Sequence, residues 1–407
     1  MVNDHDVVIT GGGLNGTTLA LALSQVGLRV ALVDRLSTEH RGEDNFDGRS
    51  YALALASSKM LGALGLLDTL ADNAQPIHEV KASDGRAGEG GSPLFLHFDR
   101  GEIEDGPMGY LVEDRFLRRA LLKAVDDTPR INHLPDETIV DQTMGRTAQV
   151  ETASGRKLQA HLLVGAAGRS SGTAQRAGIK RFTRDYHQDA LVCAIEHERP
   201  HHGIAHQFFM PGGPLAILPL TGNRCSIVWS ERRPLAQQIA ALDDAAFLDA
   251  LRPRVGDFLG EISLCGLRYS YPLNLTMARQ VTAPRLALVG DAAMGVHPIA
   301  GQGLNQGLRD VGTLAQVLAD ASRRGEDIGA PGVLDRYRQW RSFDRATLAI
   351  ATDGFSALFS NDNPILRFGR DLVMAFVSAV PGLRRRVMRE AAGLNGDLPR
   401  LLRGQPL

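Results

Sequence analysis

Three cysteines in 407 residues, Cys193, Cys225 and Cys265, lie far apart and form no Cys-x-x-Cys pair. That spacing argues against a disulfide framework, a redox dithiol or a cysteine zinc site, and buried thiols are expected, with no metal. No apolar run reaches the length that spans a bilayer, and the N-terminus enters its first strand without a basic, apolar and cleavable leader. A cytoplasmic location is therefore expected. Net charge is nearly missing too: 45 basic and 46 acidic side chains give a formal charge of -1, so no global field draws nucleic acid or an acidic substrate. Repeats and low-complexity tracts are not evident. The length exceeds a usual single core, so two or three domains are expected.

What the chain has in quantity is glycine, 44 residues of it, and two clusters carry chemistry. Residues 6–10 read as a short apolar strand, followed by Gly11-Gly-Gly13-Leu14-Asn15-Gly16 and then residues 17–26 with helical periodicity. In a Gly-x-Gly-x-x-Gly turn between strand and helix, Gly11 permits the tight turn, Gly13 lets the backbone approach a pyrophosphate, and Gly16 lets helix pack on strand. A second strand at 29–33 ends at Asp34 and Arg35, where an acid about 20 residues beyond the glycines would hold a ribose. FAD or NAD(P) suits that order of elements.

The second cluster lies far downstream. Residues 286–289 read as a buried strand closed by Gly290 and Asp291, whose carboxylate is a natural partner for a sugar or ribityl hydroxyl. Gly301, Gly303, Leu304 and Asn305 precede a helix read at 308–318, so free N–H groups and a positive helix end can face a phosphate or an electron-rich ring. A simple NAD(P) domain has no use for a second cradle, whereas FAD must also seat its flavin end. FAD is the better reading.

Between the cradles, the Gly/Ser-rich stretch 83–92 reads as a loop, 113–124 as a helix, and 139–164 as a hairpin returning to the nucleotide sheet, with the strand 162–166 ending near the cofactor. From 181 to 283, short apolar strands such as 191–196, 215–220 and 224–231 read as an antiparallel sheet. The expected fold is α/β: a Rossmann-like FAD-binding domain over 1–70, 101–178 and 283–340, an antiparallel β-sheet substrate domain over 71–100 and 179–282, and a C-terminal helical region over 341–407. In the tail, apolar blocks at 372–377 and Val387-Met388 stand beside Arg367, Arg370, Arg384, Arg385, Arg386 and Arg389. Two readings stay open, a basic rim resting on anionic lipid or a helix packed on its own domain with solvated arginines.

The two cradles, together with Asp47-Gly-Arg49-Ser-Tyr-Ala-Leu53, Tyr110-Leu-Val-Glu113-Asp, Tyr186-His-Gln188, the segments 213–220 and 391–399, and above all His297-Pro298-Ile-Ala-Gly301-Gln-Gly303-Leu304-Asn305, resemble the class A flavoprotein aromatic hydroxylases. The likeness runs nearly end to end and is closest to the branch that hydroxylates ubiquinone precursors, with a p-hydroxybenzoate hydroxylase-like fold. It implies FAD as cofactor, O2 and a polyprenylated phenol as substrates, and NADPH, NADH or an electron-transfer protein as the source of electrons. Peripheral contact with the inner membrane surface and membership of a quinone-biosynthesis complex follow from the same likeness. So does a place beside the isoalloxazine for His297 and Pro298 as the catalytic residues, with a structural, loop-capping histidine as the alternative. Arg49 matches an arginine near flavin and pyrophosphate, its alternative being a surface ion pair with Asp47. An aromatic content of 5% accords with this, because aliphatic side chains can sheathe an isoprenoid tail. Hydroxylation of another hydrophobic phenol, prenyl-chain reduction, and a non-catalytic flavin-binding subunit are the alternative functions.

The chain departs from the family pattern at several positions. A strand that usually ends Gly-Ala-Asp-Gly reads Gly165-Ala166-Ala167-Gly168, and Ala174 stands where an arginine is common, with Arg169 and Arg176 close by. Phe208 replaces an arginine, Met294 a histidine and Asp114 an asparagine. The carboxylate missing at Ala167 implies cofactor binding weaker by about 1–2 kcal/mol. It also implies slow direct reduction by a pyridine nucleotide.

Overall fold

A computed structural model of the chain describes residues 5–88, 90–102, 106–295, 302–342 and 377–407. The strand Val7–Thr10 is buried at every position, which suits the interior of a parallel sheet covered on both faces. It takes that place: the first sheet runs Thr282–Ala283, Leu286–Leu288, Leu162–Gly165, Val7–Thr10, Val30–Val33, Ile131–Leu134. All but the first strand are parallel, and Thr10 is in register with Gly165 on one side and Val33 on the other. The carboxyl ends therefore line up along one edge, where a crevice opens in folds of this kind. Leu14–Gln25 and Gln302–Arg323 are neighbouring helices on this sheet. The stretch expected as a hairpin is a three-stranded meander, Ile139–Met144, Ala148–Thr152 and Lys157–Ala160, that delivers the chain into Leu162–Gly165.

The second layer is an eight-stranded sheet in the order Met294–Gly295, Ile262–Ala278, Arg181–His197, Arg224–Arg232, Gly213–Leu220, Ile204–Met210, Glu79–Arg86, Gly90–Asp99. Only Ile204–Met210 and Glu79–Arg86 pair in parallel. One face packs against the helices Arg233–Ala240 and Asp244–Val255 around Trp229 and Phe247. The stretch 83–92 corrects the loop reading: among the described residues it is mostly strand, with a turn at residues 87–88. Glycine and serine are weak strand formers, but Ser83 and Asp84 pair with Ile204–Met210 while Gly85 and Arg86 pair with Gly91 and Gly90, and this pairing outweighs their propensity. Cys193 and Cys225 are buried and Cys265 partly so, and burial pushes the first two thiols up to about 12.

The described part of the tail folds back onto the molecule. Met388, 0% exposed, and Ala392 pack with Leu55, Ile77 and Met108, while Leu401 and Leu402 join the core under the parallel sheet. Arg384 Nε meets Glu102 Oε2 at 2.9 Å, whereas Arg385 and Arg386 are exposed. The apolar side of Pro381–Ala391 is thus spent on the protein's own core. Arg367 and Arg370 lie outside the described residues. No described helix is long and apolar enough to cross a membrane.

On the helix-covered face, His206 packs against Phe258 with ring centroids 4.5 Å apart and the rings tilted by 41°. Burial, seconded by Lys81 and opposed by Glu79, lowers its pKa from an ordinary 6.5 to about 4. The unfolded chain therefore binds the extra proton first as pH falls, and stability present above 6.5 is lost progressively toward 4. Thermal melts across that window should show His206→Gln losing less stability than the parent protein. Parallel curves for the two would remove His206 as the cause.

Candidate active site

The glycines of the first cradle answer to different demands. Gly11 has φ of 105°, and a Cβ there would lie 2.7 Å from the backbone of Ala166 and Ala167. A Cβ on Gly16 would collide with the carbonyl oxygen of Gly11. The fold itself requires both. Gly13 has an ordinary extended conformation, φ -75° and ψ -177°, and a Cβ on it would meet nothing within 4 Å. Protein leaves that space open. Gly13 also caps the helix Leu14–Gln25 without a side-chain hydrogen bond, and no acid lies in the first turn. Its N–H groups and positive end are left for an anion.

The distal helix is longer than its periodicity suggested. It spans Gln302–Arg323, so Gly303, Leu304 and Asn305 lie inside its first turns rather than in a loop before it. No acid stands in its first turn either, and the leading N–H groups of a helix lack intrahelical partners. Asn305 is buried, and its side chain is committed to the protein: Oδ1 accepts from Ala54 N at 2.9 Å and Ser57 Oγ at 2.8 Å, and Nδ2 donates to Ala52 O at 2.8 Å. The side chain is thus a structural tie between the distal helix and residues 52–57. Gly290, with φ of 60°, donates its N–H to Asp310 Oδ2 at 3.1 Å.

A cavity of about 1040 Å³ joins the two cradles. Gly11, Gly13, Leu14, Asn15, Asp34 and Arg35 line it from the first cradle, Arg49 from the side, and Asp291, Gly303 and Leu304 from the second. Gly16, Gly290 and Asn305 are not in its wall, and His297, Pro298 and Gly301 lie outside the described residues. From the cradles the cavity runs on to the eight-stranded sheet, where Ala190, Val192, Ala216, Leu218, Ser226 and Val228 form its floor.

Asp34, Arg49 and Asp291 in the wall each face a charge of opposite sign. Asp34, 2% exposed, receives Arg41 Nε at 2.7 Å and Nη2 at 3.1 Å, so the acid at the strand end is already clasped by a bidentate guanidinium. Arg49 does pair with Asp47, at 2.7 Å from Nε, yet it also lines the cavity and reaches Asp114 Oδ2 at 3.3 Å. Burial works against its charge, but the hydrogen bond to Asp47 and the field of Asp114 raise its pKa above the usual arginine value. Asp114 also accepts from Arg118 Nε at 2.6 Å, so an acid in place of the common asparagine sits between two arginines. Arg169 Nη1 donates to Asn274 Oδ1 at 2.9 Å, and its Nε lies 3.4 Å from Asp291 Oδ2. Beside Ala167 it links the cofactor side of the cavity to the sheet side. Ala174 and Phe208 are buried core residues, and Met294 packs with Leu275.

These features fit FAD. Three buried polar atoms of wall residues, Asn15 Oδ1, Ser50 Oγ and Thr173 Oγ1, have no hydrogen-bond partner among the described residues. Such orphans are expected where a polar ligand completes the wall. Together with the open space over Gly13 and the helix end there that lacks a side-chain cap, they suit a phosphate- and hydroxyl-rich molecule. Sequence reasoning missed Arg41, Ser50, Thr173 and the sheet floor. The alternation 190/192, 216/218 and 226/228 was the available signal for the floor, since residues two apart share a face of a strand.

The FAD binding domain family matches residues 4–348. The ubiquinone hydroxylase UbiL of Rhodospirillum rubrum is 43% identical over 406 residues, covering 99% of this chain and 93% of that one. The 3-demethoxyubiquinol 3-hydroxylase of Escherichia coli is 31% identical over 392 residues, 96% of this chain and 98% of its own. Among solved structures, the p-nitrophenol 4-monooxygenase PnpA of Pseudomonas putida superposes with a TM-score of 0.80 over 97% of this chain and 99% of that one, at 18% identity, a likeness of fold.

Proposed function

This chain belongs to the FAD-binding-domain family of flavoproteins, and on that premise we propose that it is a monooxygenase hydroxylating the aromatic ring of a polyprenylated ubiquinone precursor. The observation that carries the reading is the continuity of one cavity from a polar, phosphate-ready end to an aliphatic sheet floor. The chemistry FAD supplies when bound is reductive activation of O2 and delivery of one oxygen atom to an electron-rich ring. The chain's own residues bind and position. The space over Gly13 and the helix end behind it accept phosphate charge, Asp34 and Asp291 accept sugar or ribityl hydroxyls, and Arg49 holds a fixed positive charge in the wall. The aliphatic floor keeps water from the ring. His297 and Pro298 complete the site beside the reacting ring in this reading. The cofactor domain is then 1–70, 101–178 and 283–340, and the substrate domain 71–100 and 179–282.

NADPH, NADH or an electron-transfer protein supplies the electrons, with direct reduction slowed by the missing carboxylate at Ala167. To test the function, the holoenzyme is reduced anaerobically by each nucleotide or chemically, then mixed with O2 and prenylated phenols. Mass spectrometry should find a ring-hydroxylated product. Hydrogen peroxide alone with every quinone precursor would overturn the proposal in favour of a non-catalytic subunit.

A polyprenyl substrate resides in the bilayer, so peripheral contact with the inner membrane surface and a quinone-biosynthesis assembly belong to the same reading. Arg385 and Arg386 are adjacent exposed cations of the tail helix, which also exposes Arg389, while Arg384 is paired with Glu102. Flotation with anionic liposomes should be weak, salt-sensitive and reduced when both are changed to Ser. Equal flotation of the double variant would assign the helix a packing role only.

A further inference from the structure

Three adjacent strands, Arg181–His197, Arg224–Arg232 and Gly213–Leu220, turn one face toward the cavity. Five of the six side chains they contribute are aliphatic, and the sixth is Ser226. Register sets Ser226 between Ala194 and Leu218, with the row Val192, Val228, Ala216 beside it. Ser226 is 1% exposed, with its side chain in the cavity wall. Alanine would fill this place without a polar group to satisfy. On an aliphatic floor the natural partner of that hydroxyl is an oxygen carried in by whatever occupies the cavity.

We propose that Ser226 recognises the substrate, its Oγ hydrogen-bonding the hydroxyl on the aromatic ring of the prenylated phenol and so fixing which ring carbon is presented for hydroxylation. The assignment rests on the function proposed above. Serine suits the task because its hydroxyl both donates and accepts, as a phenol does. The surrounding alanines and valines leave a flat aliphatic bed for the ring. A polar group on that bed can discriminate strongly, because an analogue lacking its partner leaves the hydroxyl unpaired.

The experiment measures binding by equilibrium dialysis for the FAD-loaded parent protein, Ser226→Ala and Ser226→Thr. The probes are a short-chain prenylated phenol and its counterpart with hydrogen in place of the ring hydroxyl. The parent protein should prefer the phenol by roughly tenfold, and Ser226→Ala should abolish that preference by weakening the phenol alone. FAD content should be unchanged, Ser226→Thr should retain the preference, and Ser226→Ala should release more hydrogen peroxide per turnover. Retention of the preference in Ser226→Ala, or equal weakening of both probes, would overturn the assignment while leaving the proposed function standing. Failure of the parent protein to bind either probe would overturn both.

Discussion

Changing Gly13 to Val should give a folded protein that carries no FAD. The backbone at Gly13 lies in a region any residue adopts, and its Cβ position meets nothing within 4 Å. Valine is a poorer helix cap than glycine, and that costs the apoprotein no more than about 1 kcal/mol. The cofactor feels the change far more strongly. A branched side chain over the free N–H groups keeps a pyrophosphate from the helix end, and occupancy should fall more than about a hundredfold. Flavin absorbance of the purified variant reads the loss, and circular dichroism reads the fold. Full occupancy would reassign the cradle. Gly16→Val serves as the contrast, because its side chain meets the Gly11 carbonyl and the protein itself should fail to fold.

The second large effect is expected far from the cavity floor. Arg341, 1% exposed, meets Asp310 Oδ1 at 2.7 Å and Gln306 Oε1 at 3.1 Å, and the other Asp310 oxygen accepts Gly290 N–H at 3.1 Å. Arg341→Met should cost about 3–5 kcal/mol, because it leaves a carboxylate buried without its cation. That is a large share of a stability of about 5–15 kcal/mol. Urea unfolding measures it. Pairing the change with Asp310→Leu should recover part of the loss, since removing both charges also removes the uncompensated one. A single-variant cost under about 1 kcal/mol would show that water or another group takes over the carboxylate.

The parts of this protein most legible in its sequence are those built from neighbours. Gly11, Gly13, Gly16 and Asp34 fall within one βαβ unit, where spacing alone encodes strand, turn, helix and strand end, and all but Gly16 line the same cavity. The pairing of that unit with Asp291 and Gly303 also followed from what FAD needs at its two ends. Contacts between distant segments left weaker marks. Nothing in the composition around Asn305 announces that its amide ties down Ala52, Ala54 and Ser57. Arg41 was hidden because only the folded turn brings it onto Asp34. The floor residues were visible as alternating positions, but a strand of the second sheet is apolar on both faces. Ile227 and Trp229 enter the helix-covered core while Ser226 and Val228 face the cavity, and hydropathy alone does not say which set is which.

The tie made by Asn305 bears on when the cofactor can be acquired. Its partner Ser57 lies 248 residues earlier, and the parallel sheet gains Leu286–Leu288 beside Leu162–Gly165 only after most of the chain exists. At ribosomal rates of about 5–20 residues per second, Asn305 emerges roughly 15–60 s after the first strand. Leu286–Leu288 follows Leu162–Gly165 by 121 residues, roughly 6–24 s at those rates, and until then the nascent sheet has an unpaired edge of the kind that invites wrong pairing. Stable FAD retention is therefore expected only of chains that extend past Asn305, whose amide ties the distal helix to residues 52–57.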